Sequence, residues 1–407
     1  MKIPLHHPMY AAVVAMVFAG QPVHACLNDR DTLAEEAQKH PDILQAITGR
    51  FERNPPLYYQ MRITRVENDL QTHPDNLDEY DDIAVACDRL GRDDEAISWE
   101  ERKMGRLPQY DPGNAAMKEQ WYKCYANIGT ARVHRWLRAG AKPARIVEVK
   151  QARQEIAGAV RIKPNAHFGR ETYQLAVMDW IIDSSSTQTS YGTSDTLADY
   201  LIQNPPESDK SLRGAGTALA GLITLGNAWE SVDIFTALAA AAPHASVLRS
   251  EYHLSSLATL RAEELRKAGH KSLFEVGKEH TVSSDLAQSD DGRTFAQLRA
   301  EADRWQRART DYMMARLTAG RHPDTDPTFW ADYRPAPAPQ LEDEWGRKLH
   351  MFLRRRFSGN AMLIEMLIYL FGISLGGYGA VRLTQFLMRR LIGRWRTRKS
   401  ASPASTS

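Results

Sequence analysis

The chain has 407 residues, 43% of them hydrophobic and 25% charged, a normal mix for a folded protein with a sizeable core. Its formal charge of +2 conceals an asymmetry: seven basic and no acidic residues lie from Arg382 onward, which leaves −5 on residues 1–381. A mildly acidic bulk argues against nucleic-acid binding by the main body, and three cysteines are too few for the disulfide framework of a small secreted domain.

At the N-terminus, Lys2 precedes an apolar run from Tyr10 to Gly20 and then Gln21-Pro22-Val23-His24-Ala25. The run is too short to span a bilayer and a polar stretch follows it, so residues 1–25 are expected to be a secretory signal cut after Ala25. Val23-His24-Ala25-Cys26 is also a degenerate lipobox, and lipidation of Cys26 stays open as an alternative. None of the ten asparagines begins an Asn-x-Ser/Thr sequon. That fits a bacterial periplasm better than a eukaryotic secretory route.

From residue 26 to 333, apolar residues recur at three- and four-residue spacing with no sustained period-two alternation, which predicts an all-α body. Breaks are expected at Asn54-Pro55-Pro56, His73-Pro74, Leu107-Pro108, Lys163-Pro164, Asn204-Pro205 and Ala242-Pro243. Residues 77–108 carry the most specific pattern. Tyr80, Ile83 and Ala84 stand at aromatic, aliphatic and small positions of a first helix, Leu90-Gly91 closes it, Ala96 gives the small contact of a second, and Pro108 ends the unit. Asn76 and Glu79 have capping-box spacing ahead of it. This stretch resembles a tetratricopeptide repeat, with Pro74 and Pro108 one family period apart. Partial copies of the second-helix pattern follow at Ala152, Ile156, Ala159 and Pro164, and again at Gly226, Phe235 and Pro243.

The resemblance implies a helical-hairpin solenoid over residues 26–245. It also implies a concave groove lined by Asp78, Asp81, Val85, Asp88 and Arg89, acidic and suited to a basic or amine-bearing segment of a protein partner. An irregular helical bundle with a solvated acidic face is the plainer alternative. Cys87 and Cys124 lie about one repeat apart, so a stapling disulfide is one expectation and simple core packing the other. Residues 246–333 read as a C-terminal helical cap with long helices over 246–268 and 294–319, and residues 334–356, opening on the Pro335–Pro339 spacer, as a linker.

Residues 357–381 contain one charge, Glu365, and are long enough to cross a membrane once. Gly372, Gly376 and Ala380 recur every fourth residue, a strip suited to self-association through the span, and Glu365 is expected to pair or sit near the interface. Residues 382–407 form a basic tail in which Arg389, Arg390, Arg394 and Trp395 suit an anionic lipid surface. The heavier basic cluster lies C-terminal to the span, which puts the tail in the cytoplasm and the bulk in the periplasm, anchored in a bacterial inner membrane. No metal-binding, nucleophile or phosphate-loop motif occurs, and no cofactor is implied. His167, Arg170 and Glu171 form the densest polar cluster, at a helix start. The chain therefore reads as a membrane-anchored periplasmic scaffold or adaptor that binds protein partners. An envelope enzyme whose site is assembled from residues distant in sequence is the alternative.

Overall fold

Proline and glycine punctuation separates amphipathic stretches along the body, and in the computed structural model, which describes residues 27–32, 42–164, 166–187, 196–245, 249–274 and 284–338, each stretch is a helix. In chain order these are α1 (Ile43–Thr48), α2 (Pro56–Thr72), α3 (Leu77–Arg89), α4 (Asp93–Met104), α5 (Ala115–Arg138), α6 (Ile146–Ile162) and α7 (Arg170–Thr187). They continue as α8 (Leu197–Gln203), α9 (Ala215–Thr224), α10 (Val232–Ala245), α11 (Arg249–Lys267), α12 (Ser284–Gln288) and α13 (Asp290–Leu317). No strand occurs among the described residues.

The hairpin α3/α4 falls where the sequence pattern puts it. Its turn is a Schellman cap. Gly91, at φ +74°, donates to Asp88 O at 2.9 Å and Arg92 donates to Cys87 O at 2.9 Å, satisfying carbonyls that the helix end would leave bare. Ala84 and Ala96 are buried, as close helix approach requires. The expected capping box does not form: Asn76 makes no side-chain cap, and Glu79 instead accepts from Arg65 at 3.0 Å. Ile63, Val66 and Leu70 of α2, Tyr80 and Ile83 of α3, Ile97 of α4 and Ile128 of α5 share one core. Burying each such side chain contributes roughly 1.5–3 kcal/mol. Between α5 and α6 the backbones approach closely. A Cβ at Gly129 would lie 2.8 Å from Ile156 Cγ1 and 2.9 Å from Ala152 O, so only hydrogen fits there.

Each helix from α2 to α7 packs on its successor, α7 passes the path to α9, and α9, α10 and α11 continue it. This succession is compatible with a helical-repeat fold. The path then closes: α11 meets α1 and α13, and α13 packs against both α1 and α2. Gln306 of α13 donates to Arg53 O at 2.8 Å, and Arg309 pairs with Glu52 at 2.7 Å. Met313 and Leu317 of α13 bury against Tyr58 of α2 and Phe329 beyond it.

Some boundaries differ from expectation. Pro243 lies in the last turn of α10 and does not end it, the helix running on to Ala245. Ala336, in the expected spacer, accepts a hydrogen bond from Arg50, so the spacer begins docked on the body. The described residues belong to one compact unit. Among the described residues no helix is long and apolar enough to cross a membrane. The expected signal at 1–25, Cys26, the span with Glu365, Gly372, Gly376 and Ala380, and the tail with Arg389, Arg390, Arg394 and Trp395 all lie outside the described residues.

Candidate functional site

Arg62 stands among Tyr58, Val66 and Leu70 on the buried stripe of α2, and its side chain is 0% exposed. A buried guanidinium must have its charge answered. Three carboxylates answer it: Asp29 at 3.2 Å, Asp31 at 3.0 Å and Asp324 at 2.6 Å, with Arg65 reaching Asp324 at 3.0 Å. Two of these come from the segment 27–32. Leu27, Asn28 and Asp29 are buried, and Asn28 exchanges hydrogen bonds with Asn127 of α5 at 2.7 and 3.1 Å. The third acid follows α13, where His322 stacks on Tyr58 at 4.6 Å. Asp324 N–H donates to His322 Nδ1 at 3.1 Å, so Nε2 carries the ring proton and donates it to Tyr58 O at 3.0 Å.

These contacts form one wall of a cavity of about 610 Å³. Burial, then the charge of Asp31, raises Asp29 to about 6 against the pull of Arg62. Burial also works to raise Asp324, but the hydrogen bond and charge of Arg62 outweigh it and hold that group down at about 2. Another part of the lining is built on Trp229. Its ring carries the guanidinium of Arg261 at 3.7 Å, Arg53 at 4.9 Å and Arg299 at 5.2 Å, and meets Phe51 edge-on at 5.4 Å. Glu264 pairs with Arg261 at 2.7 Å and with Arg299 at 3.1 Å. Arg53 has no such partner within ion-pair distance among the described residues. It donates to Gly49 O at 3.0 Å and lies over the rings of Phe51 and Trp229. Burial, then the neighbouring charge of Arg299, with Arg261 and Arg309 behind it, pulls Arg53 down to about 10 against the charge of Asp303.

Of the five residues expected to line an open groove, one reaches this cavity. Arg89, at the end of α3, lines it and donates to Leu225 O at 2.6 Å. Asp81, Val85 and Asp88 are 1% exposed each, turned into the body and not toward solvent. Asp81 pairs with Lys103 at 2.5 Å, and Asp88 holds His134 of α5 at 2.6 Å and Arg138 at 3.3 Å. Asp78 alone is open, 65% exposed in its side chain and paired with Lys123 at 2.8 Å. An acidic groove on α3 is thus filled by α4 and α5. Their cations take the acidic face, as a partner's would have.

Cys87 and Cys124 are both free and buried, so the expected disulfide is not formed. Cys87 packs in the core shared by α2 to α5, whereas Cys124 lies beside Glu100. The cluster His167, Arg170 and Glu171 is interior too. Tyr122 stacks on His167 at 5.6 Å and donates to Glu171 at 2.6 Å. Among the described residues no group of three His, Cys, Asp or Glu side chains is arranged to hold a metal ion.

Sequence reasoning missed the cavity because its residues come from six separate stretches. One signal was available. Arg62 interrupts the apolar stripe of α2, and a charge at a core position demands partners from elsewhere. Comparison with protein-family models, with curated proteins and with solved structures finds no match for this chain.

Proposed function

We propose that this chain is a membrane-tethered adaptor of the bacterial envelope, built on tetratricopeptide-like hairpins, that binds its ligand inside the closed ring of helices and not along an open repeat groove. The observation that carries the reading is the cavity of about 610 Å³, a volume within the roughly 300–1,000 Å³ of small-molecule sites, with aromatic walls and a few fixed charges. The signal-like start, the apolar stretch at 357–381 and the basic tail support the address, with the body outside the cytoplasm. Protein partners would then be engaged by the outer helical surface, in response to what the cavity holds.

Native mass spectrometry of the full-length protein, extracted from membranes in detergent, tests the reading. A bound small molecule is expected on the wild type and not on Thr224→Trp, which fills the cavity from its wall. Equal spectra for both proteins would sink the cavity reading. A reporter fused after Ser407 should be active only in the cytoplasm.

A second reading, an envelope enzyme, draws on Asp29, a buried carboxyl raised to about 6 beside Asp31 on the cavity wall. It requires that Asp29→Asn retain an unconverted ligand where the wild type carries product. Identical bound masses in the two proteins favour the adaptor.

A further inference from the structure

The cavity is lined by four carboxylates and four arginines, but the two signs are unevenly paired. Asp29, Asp31 and Asp324 are held by Arg62, and Glu52 by Arg309. Of the four arginines on the wall, Arg309 is paired in this way and Arg30 is held by Asp82. Arg53 and Arg89 are left. Each spends a donor on a backbone carbonyl, Gly49 O and Leu225 O, and neither has a carboxylate within ion-pair distance among the described residues. A guanidinium carries five N–H donors, so both keep donors for another acceptor. Leu225 and Trp229, the neighbours of Arg89 and Arg53, line the same cavity, as do Tyr59, Ile223 and Trp330, which give it an apolar side.

We propose that the cavity binds a small organic anion, its phosphate or carboxylate group held by Arg53 and Arg89 and its apolar or planar body laid against the aromatic wall that includes Trp229 and Trp330. This rests on the cavity reading above and names the ligand class. An anion answers two partly buried charges that the fold itself leaves without an ion-pair partner, and Arg299, Arg261 and Arg309 crowd Arg53 with like charge while Asp303 acts against them. Arg53 is held in place by Phe51, Trp229 and Gly49 O, so little side-chain freedom is lost on binding.

The test is titration calorimetry of the full-length protein in detergent with phenyl phosphate, phenylacetate and the neutral phenylacetamide. At least one anion is expected to bind, with phenylacetamide weaker by at least about tenfold. Which anion binds tells a phosphate site from a carboxylate site. Arg53→Gln and Arg89→Gln should each weaken the anion about tenfold or more, Arg53→Lys should recover part of the loss, and Arg132→Gln, at the outer Arg132–Glu155 pair, should leave it unchanged. Circular dichroism melts of each variant confirm folding. Equal binding of phenylacetamide, or anion binding indifferent to both arginines, would overturn the proposal. If native spectra show a retained neutral molecule while no anion binds, the anion proposal falls and the cavity reading stands.

Discussion

At the scale of single residues, Arg62 carries the largest electrostatic burden in the described body. It is fully buried and gathers acids from before α1 and after α13, so it ties both ends of the compact unit to α2. Arg62→Ala leaves Asp29 buried without its cation and Asp324 with Arg65 alone, and a loss of about 3–5 kcal/mol is expected in urea unfolding. A loss under about 1 kcal/mol would mean that water replaces the guanidinium at little cost. The cysteines give a second residue-level prediction. Burial pushes the Cys87 thiol up to about 12 and raises Cys124 further, so neither offers a thiolate near neutral pH. In unreduced protein a maleimide should label neither thiol in the folded state and both after denaturation. Labelling that appears only after added reductant would show a disulfide in solution.

At the scale of elements, the α5/α6 pair shows what a glycine can decide. Gly129 sits where the backbone of α6 passes, and a Cβ at Gly158 of α6 would meet the ring of Tyr125 at 3.3 Å in return. Gly129→Val would force the two helices apart, with an expected loss of about 1–3 kcal/mol in thermal or urea unfolding. Gly49, after α1, is a different case. Its φ of +80° is strained for other residues, and a Cβ there would collide with the indole of Trp229. Gly49→Ala should therefore weaken ligand retention beyond its effect on stability, because it displaces the aromatic wall. Much of the element scale was legible beforehand. Pro56 opens α2, Gly91 closes α3 and Pro164 follows the end of α6, each through backbone constraints that act within a few residues. Pro243 misled because a proline in a helix costs stability without forbidding the helix, and the packing of α10 on α11 carries the helix two residues further.

At the scale of the whole molecule, the body stores buried acids whose protonation couples to folding. Burial raises Asp29 to about 6 and Asp93 to about 7, and lifts Asp81, Asp82 and Glu100 as well. Between their unfolded values near 4 and these folded values the native state holds more protons, so each contribution to stability falls as pH rises. Buried His134, His167 and His322 are held below their ordinary value, and their contribution is lost as pH falls. The informative readout is therefore a difference between proteins. From pH 7 to pH 5 the wild type should gain about 1 kcal/mol over Asp29→Asn in urea unfolding, because only the wild type takes up a proton there. A constant difference across that range would place Asp29 outside this linkage.

By itself the sequence determined the helical class, the hairpin at 77–108 and most helix ends, because periodicity and turn chemistry are written in residues only a few positions apart. It also singled out Arg89, which the fold places on the cavity and not along an open groove. Only the tertiary structure decided that α13 returns to α2, that residues 27–32 thread the interior, and which arginines are left without an acid. Arg62 and Asp324 are 262 positions apart. With 52 basic and 50 acidic residues in the chain, composition permits almost any pairing. Which cation stays unanswered is settled by the packing that brings distant helices together, since charge pairing depends on distance and burial and not on order along the chain.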